Sequence, residues 1–148
     1  MSKVLKVVPE KYIIRPVEGE LEVLIFFELN RLILPEVGVP VVTEMWLVWE
    51  GEHAVGFAAA ALDEDGDAYL STAGLSPSCR GCGLQRKLIN TRLEWARSMG
   101  CNIAYTYASR FNRASIVNLL KSGFDWYEPA ENYDPEEPWE YFRYELEK

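Results

Sequence analysis

Residues 75–89 read LSPSCRGCGLQRKLI. Pro77 ends the apolar strand-like run before it, because proline lacks an amide and biases its predecessor toward extended backbone. Two glycines, Gly81 and Gly83, then stand just ahead of an amphipathic run. Leu84, Leu88, Ile89, Leu93, Ala96 and Met99 share one face at helical spacing, and Gly100 fits the C-terminal stop. Such a loop can aim backbone N–H groups at an anion. Glycine puts no Cβ in the way, and the first helical turn adds unsatisfied N–H groups at the positive end of the helix dipole. Arg80 adds charge at the rim. On the residues alone, an anion cradle and a plain glycine-rich turn are both open. The same stretch holds C-x-x-C, Cys79 and Cys82, the spacing of metal or redox pairs. A four-ligand zinc site would need both of them, Cys101 and the only histidine, His53, which falls in a predicted hairpin turn. The cysteines are the poorer reading: Cys79 is expected to pack as a small apolar residue and Cys82 to sit in the loop.

Outward from this loop, hydrophobic periodicity and turn residues predict the other elements. A strand over Tyr12–Val17 precedes a helix over residues 19–34, whose apolar face is read as Leu21, Leu24, Ile25, Leu29, Leu32 and Ile33. Three strands follow, Thr43–Glu50, Ala54–Leu62 and Ala68–Leu75, divided by a turn at Gly51 and by the turn signal DEDGD at residues 63–67. Beyond the loop come a helix, a strand over Asn102–Ser109, a helix over Asn112–Gly123, a strand start at FDWY, a polar loop at residues 128–138, and a closing strand over Trp139–Glu147. The order β-α-βββ-α-β-α-ββ implies an α/β class, with a mixed α+β sheet covered by helices.

At 148 residues the chain fits one domain, residues 1–148, with one core. Its formal charge of −8 disfavours a nucleic-acid partner, which needs a basic face, and would attract an amine or a cation. No apolar run reaches the roughly 18 residues of a membrane span, and the N-terminus is charged too early for a signal peptide. With an odd number of cysteines, three, a reducing, cytoplasmic setting is expected.

Residues 75–88 resemble the pyrophosphate loop of the GNAT superfamily of N-acetyltransferases, roughly V-x-P-x-x-R-G-x-G-x-G/A. Leu75 takes the valine place, and Pro77, Arg80, Gly81 and Gly83 fall in register. NRASIVNLLKSGF, from Asn112 to Phe124, resembles that superfamily's later helix, N-x-x-A/S-I-x-x-Y-x-K-x-G-F. The resemblance implies a GNAT-like fold over essentially the whole chain and an acetyl-CoA-dependent enzyme that transfers an acetyl group directly to an amine, without a metal. It places pyrophosphate against the amides of Gly81, Cys82, Gly83, Leu84, Gln85 and Arg86, with Arg80 at the rim. The pantetheine arm would pair with the backbone of Ala73, Gly74 and Leu75, where two central strands splay apart. Asn112 and Ser115 would reach the pantetheine or the thioester; Asn112 is also a natural N-cap.

Two positions depart from the pattern: Gln85 stands for the last Gly/Ala, and Leu119 for the tyrosine acid. Tyr107 and Tyr69 are the candidate catalytic groups, with Tyr105 facing the same way as Tyr107 by strand alternation; Glu44 and Glu50 are weaker alternatives. Residues 34–43 and the acidic loop with Glu128, Glu131, Asp134, Glu136 and Glu137 would line the acceptor mouth, which suits a cationic amine. Trp46, Trp49 and Trp139 are candidates to wall a pocket. A homodimer fits the resemblance. A regulator that binds acyl-CoA without turnover is the alternative, motivated by Leu119.

Overall fold

The computed structural model describes residues 10–129 and 136–146. The predicted order of elements holds. They are β1 (Ile13–Pro16), α1 (Gly19–Ile33), β2 (Glu44–Glu50), β3 (His53–Leu62), β4 (Ala68–Leu75), a short 3-10 helix (Pro77–Cys79), α2 (Leu84–Ser98), β5 (Ile103–Ser109), α3 (Arg113–Lys121), β6 (Asp125–Trp126) and β7 (Trp139–Glu145). The strands form a seven-stranded sheet in the order β1-β2-β3-β4-β5-β7-β6. Every neighbouring pair is antiparallel except β4–β5, which is parallel. His53 opens β3, paired with Glu50, rather than lying in the turn. The DEDGD signal is a genuine turn: Asp63 Oδ1 accepts from the amides of Asp65 and Asp67 at 2.9 and 2.8 Å. Among the described residues no helix is long and apolar enough to cross a membrane.

Helix α1 covers one face of the sheet over β2–β4. Its buried line is Phe26 and Asn30, flanked by Phe27 and Ile33, one turn apart. This corrects half of the predicted face: Ile25, Leu29 and Ile33 pack against the core, but Leu21, Leu24 and Leu32 are 71%, 66% and 60% exposed. Both faces of α1 carry apolar residues, so the pattern alone does not set the rotation. Two aromatic rings do, since Phe26 fits edge-on against Phe57 of β3 at 5.5 Å between ring centroids. Helices α2 and α3 cover the other face, burying Ile89, Leu93, Ala96 and Leu119 with Leu70, Ala104 and Phe142. Each large apolar side chain so enclosed contributes roughly 1.5–3 kcal/mol. Met99, placed on this face by spacing, is exposed at the end of α2.

The alanines Ala58–Ala61 are buried in β3 between the two helical layers. Their helix propensity yields to a position where both faces need small side chains. Close approach is also needed at Gly74 of β4, where a Cβ would stand 2.7 Å from the Phe57 ring and 3.0 Å from Ile33.

Two irregularities shape the middle of the sheet. β3 pairs with β4 through Ala59↔Thr72 and then Ala61↔Tyr69, so a bulge sets Leu70 and Ser71 against Ala60. β4 and β5 pair only at Ala68↔Ala104 and Tyr69↔Tyr105. Thr106 Oγ1 donates to the Leu70 carbonyl at 2.8 Å, and beyond it the two strands diverge. β5 runs on with β7 as far as Ser109↔Trp139, which leaves the β4 edge from Ser71 to Leu75 without a strand partner on that side.

Candidate active site

Gly81 and Gly83 lead from the 3-10 helix into α2 with φ of 79° and 83°, the left-handed region glycine tolerates best. Gly83 is the N-cap of α2 and offers no side chain to its first turn. The first amide of the helix with a partner is that of Lys87, on Gly83 O at 3.3 Å. Among the described residues the amides of Gly81 through Arg86 find no acceptor. A Cβ on Gly81 or Gly83 would meet nothing within 4 Å, so the backbone faces open space. That space is a cavity of about 650 Å³ lined by Ala73, Gly74, Leu75, Arg80, Gly81, Gly83, Leu84, Gln85, Arg86, Asn112 and Ser115, among others. Arg80 is anchored at the rim, its Nε donating to Leu75 O at 3.2 Å. Unpaired amides, a dipole end and a guanidinium in one concavity form an anion site without further parts. The residues present therefore fit a pyrophosphate.

Cys82 does not line this cavity; its thiol turns to Cys79 O at 2.7 Å. Cys79 is buried against Val48, Ala58 and Leu84, and its thiol donates to Ser76 O at 3.2 Å. Burial pushes that thiol up from its ordinary value, the opposite of what a nucleophilic cysteine needs. All three cysteines are free. Among the described residues no three His, Cys, Asp or Glu side chains are grouped to hold a metal ion.

A second cavity, of about 350 Å³, adjoins the first. Leu34, Ala73, Gln85, Asn112, Ser115 and Asn118 line both, so the two spaces meet where β4 and β5 part. Asn112 caps α3, its Oδ1 accepting from the Ser115 amide at 3.2 Å. Among the described residues its amide nitrogen has no partner and remains available. Leu119 lines the second cavity and is buried, so at that position the wall offers no proton.

Tyr69 and Tyr107 also line the second cavity; alternating with Ala68, Leu70 and Ala108, which pack toward α2 and α3, they stand on the opposite face of the sheet. Their rings stack at 6.0 Å, and Trp139 meets Tyr107 edge-on at 5.2 Å. Burial first, and the hydrogen bond with Tyr107 second, hold the Tyr69 hydroxyl well above its ordinary value. Tyr69 is therefore a neutral phenol at physiological pH. Tyr107 is 45% exposed, at the solvent end. Tyr105 shares their face but is tied away, donating to Asp63 Oδ2 at 2.9 Å.

Other candidates are dispersed. Glu50 pairs with Lys11 at 3.7 Å, Glu44 accepts from the neighbouring Met45 amide, and neither lines a cavity. Of the three tryptophans, Trp46 packs on Trp95 and Trp49 under Arg15, leaving Trp139 at the pocket. Leu34, Glu36 and Val37 represent the segment 34–43 in the lining. Glu128, Glu136 and Glu137 are exposed and do not line it; Glu131 and Asp134 lie outside the described residues. Sequence reasoning missed Arg92, Asn118 and Ser71, all in the second cavity. Arg92 had a signal: Leu88, Arg92 and Ala96 follow one another at a spacing of four, which puts a cation on the buried stripe of α2.

A mixed sheet split between its parallel strands, with an uncapped glycine-led helix facing the split, defines an architecture for gripping a phosphate-bearing, extended ligand. Residues 26–124 match the Acetyltransferase (GNAT) family, well over half of the chain, and the chain belongs to that family. No curated protein is a significant match by sequence. Solved structures agree on the fold. An acetyltransferase from Bacillus subtilis, solved in complex with CoA, superposes with a TM-score of 0.71 at 13% identity, covering 92% of this chain and 99% of that one. The Salmonella typhimurium protein yncA, solved with its cofactor acetyl-CoA, gives 0.66 at 15% identity, covering 94% and 96%. The ribosomal-protein-S18-alanine N-acetyltransferase of Escherichia coli gives 0.70 at 14% identity, covering 93% and 95%.

Proposed function

We propose that this chain is an acetyl-CoA-dependent N-acetyltransferase, passing an acetyl group directly to a primary amine of a small molecule or peptide. The observation that carries the reading is the junction of the two cavities. One end is an amide cradle, the other a half-closed pocket, and the open β4 edge lies between them. Family membership and relatives solved with CoA or acetyl-CoA support it.

In this reading the amides of Gly81–Arg86 hold the pyrophosphate, and Arg80 and Arg86 add charge. The β4 edge at Ala73–Leu75 pairs with the pantetheine arm, and the free amide of Asn112, with Ser115, orients its thioester end. Bound acetyl-CoA supplies an activated acyl carbon. Much of the acceleration then comes from holding two reactants together, and a backbone N–H of the β4 edge donates to the developing oxyanion. The amine must shed a proton before or during attack. Tyr69, kept neutral, is suited to donate a hydrogen bond rather than to act as a phenolate, and Tyr107, nearer solvent, to relay that proton outward. With Leu119 in the wall, the proton for the departing thiolate comes from Ser115 or water. The three unlinked cysteines favour a cytoplasmic setting.

Calorimetric titration with acetyl-CoA, with thiol release followed on the same sample across a panel of amines, tests the reading. Binding with release by at least one amine is expected. Absence of acetyl-CoA binding overturns it. Binding with no release by any amine favours the second reading, an acyl-CoA-binding regulator, for which Leu119 in the pocket wall is the specific observation.

A further inference from the structure

Arg92 is 4% exposed, and its side chain lines the second cavity from the α2 side. Its Nε donates to Leu88 O at 3.1 Å, one turn back in its own helix. Its Nη1 reaches Ala59 O at 3.5 Å and Thr72 O at 3.4 Å, beside the β3–β4 bulge. These contacts are long and go to neutral carbonyls. Among the described residues no carboxylate stands within ion-pair distance of it. Among the described residues Nη2 has no hydrogen-bond partner. The sealed polar atoms without partners are Trp49 Nε1, Ser71 Oγ and Ser122 Oγ; Nη2 is not one of them, so it opens on the cavity. Ser71 also lines this cavity, but its Oγ is sealed from it. Burial alone lowers the guanidinium, to about 10, so it remains a cation at neutral pH.

An uncompensated buried charge is costly, and an apolar side chain of similar volume would fill the same space without that cost. Carbonyls of the bulge account for one end of the side chain and leave the other unmatched. The only acidic residue in the lining, Glu36, sits exposed on the loop after α1 and does not pair with it. The cavity thus has a cationic inner end and an aromatic wall of Tyr69, Tyr107 and Trp139. Its volume of about 350 Å³ lies in the range of small-molecule sites.

We infer that Arg92 forms a carboxylate site in the acceptor pocket, so that the acceptor is an amino acid-like molecule whose carboxylate docks there while its amine faces the cofactor cavity. The direction of the amine rests on the transferase reading; the carboxylate site does not. An amino acid is a zwitterion with no net charge, so the chain's charge of −8 does not repel it. This replaces the cationic acceptor that the overall charge suggested.

The experiment titrates N-acetylglycine, N-acetylphenylalanine and N-acetylglutamate, with their carboxamides, into the CoA-loaded protein by calorimetry. Arg92→Met and Arg92→Lys are compared with wild type, with melting temperature and CoA affinity as controls. At least one acid is expected to bind on the order of a hundredfold more tightly than its amide. Arg92→Met should bind both alike with CoA affinity unchanged, and Arg92→Lys should retain part of the preference. If wild type prefers no acid, or if Arg92→Met keeps the preference, the site is overturned. Should the Met variant fail to fold, the outcome for wild type and the Lys variant decides. Thiol release separates the two readings: carboxylate binding without release from any amino acid would sink the transferase reading and leave the site standing. Release with amines and their carboxylated counterparts at equal efficiency would do the reverse.

Discussion

Gly83 joins backbone geometry to ligand chemistry at one atom. Gly83→Asp puts a Cβ and a negative charge into the space the pyrophosphate would fill, at a φ of 83° that an L residue adopts at a cost of roughly 1–2 kcal/mol. The expected result is a folded protein whose CoA affinity, measured by calorimetry, falls by at least about a hundredfold, equivalent to roughly 2.7 kcal/mol; unchanged affinity would remove the cradle. Tyr69 gives a second test at this scale, with a definite sign. Its hydroxyl is raised in the fold above the ordinary value near 10, so the folded state holds the proton longer than the unfolded one. Its contribution to stability is therefore complete below about pH 10 and is lost as pH climbs through the folded value. Wild type should outlast Tyr69→Phe by a constant margin below about pH 10 in denaturant titrations, and that margin should shrink above it. The loop from Pro77 to Gly83 was legible in the sequence because proline and glycine signal locally. The state of Tyr69 was not, since it depends on burial and on a ring of the next strand, nearly forty residues on. Arg92 was half legible: its place on the apolar stripe of α2 could be counted, but not the absence of a counter-charge.

Helix α3 shows how one element serves two purposes. Asn112 gives its Oδ1 to the Ser115 amide and keeps its amide nitrogen for the cavity junction. Asn112→Ala should lower stability by about 1 kcal/mol through loss of the cap and should also weaken acetyl-CoA binding. Asn112→Asp keeps an acceptor for the cap and removes the donor. It should therefore preserve the melting temperature while still weakening binding, and a variant that keeps full affinity would assign Asn112 to capping alone. Elements of this kind were readable because caps and glycine stops mark their ends in the chain. One feature was not. Helix α1 carries apolar residues on nearly every side, and the choice of Phe26 and Asn30 as its buried line was made by Phe57 and Thr72, from strands later in the sequence. The alanine run of β3 favours helix by propensity, yet its strand state was readable from the flanking turns, and cover on both faces accounts for the small side chains.

For the whole molecule the element order, read from turns and periodicity, was enough to place the parallel β4–β5 junction beside the glycine loop. The bulge and the extent of the splay were out of reach, since they follow from side chains meeting across the sheet. Strands β1–β4 and strands β5–β7 are held side by side by two register pairs and the bond from Thr106 to Leu70 O. Thr106→Val removes that bond at nearly constant shape. The expected outcome is a folded protein that scatters more light on warming, with added CoA suppressing the scatter; no difference from wild type would show that the bond does not hold the strands at this width. Proteins commonly guard an unpaired strand edge with lysine, proline or a covering helix. Here the strand across the gap is the guard: the wedge admits a slender chain of atoms and excludes the flank of a second sheet. The opening that would make room for a co-substrate would thus also keep one copy of this protein from zipping onto another, its narrowness acting against amyloid-like stacking.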